Sequence, residues 1–121
     1  MSQQKVPPVT QPATSQHSSE RRAFVRYPCN HNSSCQSIRS GDRDCWPATL
    51  FDVSITGLSL NVGRPFLEGE VLALELQPPV NDVRSRLFVR VMHTTQRPDE
   101  VWVVGCRFVD TLTRFELDTL R

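Results

Sequence analysis

Five polar residues and a glycine, in two short runs, have the types and spacing to hold a ligand. Arg21 and Arg22 are followed by Arg26 in the run ERRAFVR, and Asp52, Ser54 and Gly57 stand in the run DVSITG. An arginine fork bonds a phosphate, or the O6/N7 edge of guanine, through two parallel N–H groups, and its flat face stacks on a purine; one guanine contact of this kind contributes ~1–3 kcal/mol. Lysine would supply charge alone. The Asp52 carboxylate can accept from guanine N–H groups, the Ser54 hydroxyl suits a phosphate oxygen or a neighbouring backbone group, and Gly57 permits positive φ or a close backbone approach. These donors and acceptors together cover a guanine nucleotide.

Each run also has a purely structural reading. Paired arginines beside a polar tail make a solvated basic patch or a nonspecific anion site. Asp-x-Ser-x-x-Gly is a common turn composition, with Asp or Ser capping local N–H groups and Gly in the left-handed region. The two readings separate only when the elements around the runs are considered.

Residues 1–19, MSQQKVPPVTQPATSQHSS, are rich in Gln, Ser, Thr and Pro and should form a disordered tail, leaving residues 20–121 as one domain. From Phe24 onward short strands are expected between turn signals at Ser40-Gly41-Asp42, Gly63-Arg64-Pro65, Pro78 to Asp82 and Arg97-Pro98-Asp99. Leu58, Leu60 and Val62 alternate with Ser59 and Asn61; Leu72, Leu74 and Leu76 with Ala73 and Glu75; Leu87, Val89 and Val91 with Phe88 and Arg90. Such alternation marks strands with one apolar face. Val101 to Phe108 is apolar on both faces and reads as a buried strand, with Gly105 allowing a bend or a close contact. Some six strands in so short a chain must hide their edges, which predicts an all-β fold closed into a small antiparallel barrel. Leu112, Phe115, Leu117 and Leu120 are spaced for a short C-terminal helix packed on the barrel, with Thr111 as its cap.

The two polar runs in this order, one ahead of a strand-rich body and one at a strand-to-strand turn, resemble the ligand signature of the PilZ family. The stretch Val104-Gly105-Cys106-Arg107-Phe108 resembles that family's last strand. The resemblance, which spans roughly residues 20–115, implies a six-stranded Greek-key or split barrel that receives the bacterial second messenger cyclic di-GMP. It implies that Arg22 and Arg26 are the two arginines of an RxxxR loop contacting phosphate and guanine. Arg21 precedes them, at a position where an arginine accompanies an intercalated ligand dimer in similar proteins. Asp52 would recognise a guanine edge, Ser54 would lie near a phosphate, and Gly57 would complete the signature. The arginine segment would fold over the nucleotide, and a protein partner in motility, biofilm or exopolysaccharide control would read the change. Family members that have lost the ligand act as interaction adaptors, and this is the alternative function. Arg107 is a possible additional contact or simply a strand residue.

Composition bounds the remaining classes. The chain has 121 residues, 38% of them hydrophobic, and a formal net charge of +1, so no polyanion partner is implied and neither DNA nor RNA is expected. Thirteen of the 14 basic residues are arginine, which suits guanine and phosphate recognition but would also follow from genome base composition. A small-barrel nucleic-acid binder would interleave aromatic and basic residues on one sheet face, and only Phe88-x-Arg90 does so. No apolar run has the ~18–20 residues of a membrane span, and no secretory leader is evident, so a cytoplasmic protein without membrane insertion is expected. Cys29, Cys35, Cys45 and Cys106 then read as thiols rather than disulfides, with Cys106 a small apolar group. Cys29, His31, Cys35 and Cys45 could meet across a hairpin to hold zinc, although their spacing fits no standard structural pattern and no metal is expected. Neither a nucleophile elbow, a P-loop nor a carboxylate pair is present, so no catalytic residue and no cofactor are assigned. His17, His31 and His93 are placed in the tail, a loop and a strand end, and Trp46 and Trp102 in packing.

Overall fold

Alternating Leu and Val residues drive the chain into strands whose apolar faces share one interior. The computed structural model describes residues 25–39 and 43–121. It contains β1 (Tyr27–Ser37), β2 (Cys45–Val53), β3 (Gly57–Val62), β4 (Val71–Leu76), β5 (Leu87–Gln96), β6 (Trp102–Phe108) and one helix, α1 (Arg114–Leu120). All neighbouring strands are antiparallel, and the sheet closes in the order β1-β2-β3-β6-β5-β4. The link from β3 to β4 therefore leaves one neighbourhood of the barrel for another, and closure removes every open edge. The predicted tail, Arg21, Arg22 and the turn at Ser40-Gly41-Asp42 lie outside the described residues.

Leu50, Leu58, Leu60, Leu72, Leu74, Leu87, Val53, Val89, Val91 and Val104 are fully buried within the barrel. Cys35 and Cys106 join the same core, and Trp46 and Trp102 pack against it partly buried. Burial pushes the thiols up, to about 11 for Cys29 and about 12 for Cys35 and Cys106, so these three sulfurs stay protonated and unreactive near neutral pH.

Strict alternation alone would aim some site residues the wrong way. Ala48 and Leu50 face inward on β2, which would send Asp52 inward as well. An irregularity of register between Leu50 and Asp52 makes Phe51 the extra residue, so Asp52 pairs with Ser59 while Val53 takes the inward position. On β5, Leu87, Val89 and Val91 face inward, and a shift between Val91 and His93 turns His93 outward opposite Gly105. Such bulges cost ladder regularity and re-aim side chains, which is why they collect beside binding sites.

Helix α1 is capped by Thr113, not Thr111. The Thr113 side chain accepts from Glu116 N while the Glu116 carboxylate accepts from Thr113 N, a complete capping box. Starting the helix at Arg114 moves Leu112 ahead of it and turns Phe115 to solvent, 60% exposed, while Leu112, Leu117 and Leu120 enter the core. His31 belongs to β1 rather than a loop, and its Nε2–H donates to the Leu120 carbonyl at 2.7 Å, tying the helix end to the barrel.

Candidate functional site

The site begins with strand pairing. Tyr27 and Pro28, the first residues of β1, lie opposite Val53 and Asp52, so the preceding residue, Arg26, is delivered to the β2–β3 turn. Its guanidinium places Nη2 3.3 Å from Asp52 Oδ1, donates from Nη2 to Ser59 Oγ at 3.1 Å, and reaches Ser54 Oγ from Nη1 at 3.5 Å. The side chain remains 42% exposed, so part of the fork is open to a ligand.

Ser54 organises the turn. It is fully buried, its Oγ accepts from Gly57 N at 3.1 Å and Thr56 N at 3.3 Å, and its own N–H donates to Gly57 O at 2.8 Å. Phe108 N donates to Thr56 O and Leu112 N to Ile55 O, fixing the turn against the end of β6 and the approach to α1. The hydroxyl therefore serves the backbone first and faces Arg26 second.

Gly57 is needed for close approach rather than for positive φ. A Cβ there would overlap the carbonyl oxygen of Cys106, so a larger residue must force β3 and β6 apart. Gly57→Ala is expected to cost ~1–3 kcal/mol of unfolding free energy, the usual range for overpacking. Urea denaturation measures it, and wild-type stability would show that the strands yield freely.

Asp52 has an unmet valence. Its Oδ1 is buried and lies close enough to Arg26 for an ion pair, yet it accepts no hydrogen bond. The Arg26 guanidinium, 3.3 Å away, offsets its charge without a hydrogen bond of good geometry. The carboxylate as a whole remains 24% exposed beside Arg26.

Arg26, Asp52, Ser54 and Gly57 are thus brought together, while Arg21 and Arg22 lie outside the described residues. Ser59, Met92 and His93, which the sequence reading did not place at the site, also border it. Ser59 was legible as the outward partner of Leu58 and Leu60; His93 carried a subtler signal, because continuing the Leu87-Val89-Val91 alternation would have buried an imidazole. A concavity of about 170 Å³ adjoins the turn, lined by Arg26, Gly57, Met92, His93, Gly105 and Arg107. Arg107 points outward from β6, so it is not part of the core. A larger groove of about 490 Å³, between Asn32, Thr49, Asn61 and Gln77, includes none of the motif residues.

The four zinc candidates do not converge. Cys29 and Cys35 sit six positions apart on one extended strand, about 20 Å at the strand rise. Cys29 Sγ faces the Leu50 carbonyl, His31 is engaged by Leu120, and Cys45 is exposed. Among the described residues no group of three His, Cys, Asp or Glu side chains is placed to hold a metal, and no helix is long and apolar enough to cross a membrane.

The structure is thus a closed six-stranded barrel with an arginine leading into β1 and an Asp-x-Ser-x-x-Gly turn beside it. The PilZ domain model matches residues 20–121, and the chain belongs to the PilZ family. Among solved structures, the chain is similar to the PilZ domain with c-di-GMP of YcgR from Escherichia coli, at 16% identity and a TM-score of 0.56, covering 83% of this chain and 86% of that one. It is also similar to the Bacillus subtilis inhibitor of motility, MotI/DgrA, at 17% identity and a TM-score of 0.57, covering 83% of this chain and 48% of that one. At these identities the likeness is one of fold. No curated protein matches the sequence.

Proposed function

We propose that this chain is a bacterial cytoplasmic receptor for cyclic di-GMP that passes the level of the messenger to a protein partner in motility, biofilm or exopolysaccharide control. The observation that carries this reading is the pairing of the half-open Arg26 fork with the partly exposed Asp52 carboxylate across one turn. Guanine presents the complement, an O6/N7 edge for the arginine and N1–H and N2–H groups for the carboxylate. Adenine offers one donor, N6–H, beside an N1 acceptor that the carboxylate repels, and so cannot reproduce the paired donors of guanine. Family membership and the cyclic di-GMP bound to the YcgR domain support the same reading. Binding, with no chemical step and no cofactor, is the whole of the activity proposed.

Isothermal titration of the full chain with cyclic di-GMP, against GTP and cyclic di-AMP, tests it. Selective binding at micromolar concentration or below is the expected result, and a stoichiometry near two ligands per chain would support an intercalated dimer accompanied by Arg21. Absence of heat and of thermal shift at millimolar ligand would remove the receptor reading in favour of a ligand-free adaptor.

A further inference from the structure

Beyond the motif residues, the wall of the small concavity is built from β5 and β6, and its construction is specific. The bulge at Met92 breaks the inward alternation of β5 and sends His93 to the outer surface opposite Gly105. A Cβ on Gly105 would overlap Cε1, Nδ1 and Nε2 of the imidazole together. The whole ring therefore lies against the β6 backbone in the space that only glycine leaves, with its other side open beside Arg26 and Gly57.

The surroundings favour an anionic aromatic ligand. Arg107 stands directly across from Arg90 on the paired strands, a like-charge pairing that is unfavourable without an anion nearby. Arg90 donates to the Gly69 carbonyl, while among the described residues Arg107 has neither an ion pair nor a hydrogen-bond acceptor. Arg26 and Arg107 place two guanidinium groups on the concavity itself. A flat ring sharing a concavity with two arginines can bind a base by its face and the attached phosphates by charge.

We propose that His93 is a recognition residue for the same nucleotide, its imidazole serving as the platform on which one guanine stacks, and that Gly105 is required because it seats that ring. The proposal rests on the receptor reading above. Stacking uses the face of the ring and not its protons, so phenylalanine should replace histidine and alanine should not.

Titration of cyclic di-GMP into the wild-type full chain and into His93→Ala, His93→Phe and Gly105→Ala decides the matter. His93→Ala should bind roughly 5- to 150-fold more weakly, from the ~1–3 kcal/mol attributed to one base–aromatic stack. His93→Phe should stay within about threefold of wild type. Gly105→Ala, which displaces the ring without removing it, should match His93→Ala, and the double variant should be no worse than either single one. Urea midpoints confirm that each variant is folded, and if Gly105→Ala is not, the two His93 variants still decide. Wild-type affinity in His93→Ala, or equal losses in His93→Ala and His93→Phe, would overturn the stacking platform while leaving the receptor intact. Failure of the wild-type chain itself to bind would remove the receptor reading and the platform together.

Discussion

Arg26→Ala should lower the affinity for cyclic di-GMP by at least 2 kcal/mol, about thirtyfold, from the loss of one bidentate contact and its stacked face. The same change should barely alter stability. In the free protein the Arg26–Asp52 pair is partly solvated, with side chains 42% and 24% exposed, and an exposed ion pair contributes only ~0–1 kcal/mol. Arg26→Lys should rescue little, because an ammonium cannot reproduce the planar fork that spans Asp52, Ser59 and the ligand. Arg22→Ala is expected to lose as much, on the strength of its place in the RxxxR run. Titration alongside urea denaturation separates the two quantities. Wild-type affinity in both alanine variants would mean that the nucleotide binds elsewhere, and parallel losses of affinity and stability would make Arg26 a structural residue.

The second large effect lies away from the ligand, where α1 joins the barrel. Arg84 donates from Nε to Glu116 Oε2 and from Nη2 to Oε1, both at 2.9 Å, and its backbone N–H adds a third bond at 3.1 Å. The Glu116 carboxylate is almost fully buried and also closes the capping box. The Arg84 fork is the main cause that holds the Glu116 carboxyl well down, from 4.5 to about 2. A folded-state value below the unfolded one means that the charged carboxylate stabilises the fold. That contribution is complete above the unfolded value and is lost as pH falls through 4.5 toward 2. A shift of this size corresponds to about 3 kcal/mol, which the half-exposed Arg84 side of the pair trims to about 2. Glu116→Gln keeps an N3 amide able to cap but removes the charge, so it should lower unfolding free energy by about 2 kcal/mol at pH 7. Urea midpoints of the two proteins should then converge between pH 4 and pH 2. A gap that persists at low pH, or none at neutral pH, would show that the fork contributes little.

How far this architecture was legible depends on the kind of information each element needed. The strands β3, β4, β5 and β6 were readable because each buries one face, and that requirement writes itself into the order of Leu and Val residues. Strand β1 was not, since YPCNHNSSCQS carries mostly small and polar groups and owes its extended form to pairing with β2 and β4. The same absence of a hydrophobic signal put His31 in a loop. The helix was recognised from its leucines, but its cap was misplaced by two residues because Thr111 and Thr113 are both adequate caps, and only the reciprocal bond with Glu116 separates them.

At the site, residue chemistry alone identified the guanidinium, carboxylate, hydroxyl and glycine suited to a guanine nucleotide, because those groups recognise it wherever they stand. Alternation likewise determined that the chain would hide an apolar sheet face. The tertiary structure alone decided where the functional groups point. Strand pairing carries Arg26 to a turn 28 residues away in sequence. A bulge at Phe51 turns Asp52 from the core to the surface, a bulge at Met92 does the same for His93, and the closeness of β3 to β6 gives Gly57 its purpose. Register and bulges arise from how strands with a side-chain period of two are reconciled with a closed, twisted barrel, a condition on the whole sheet that no local run of residues contains.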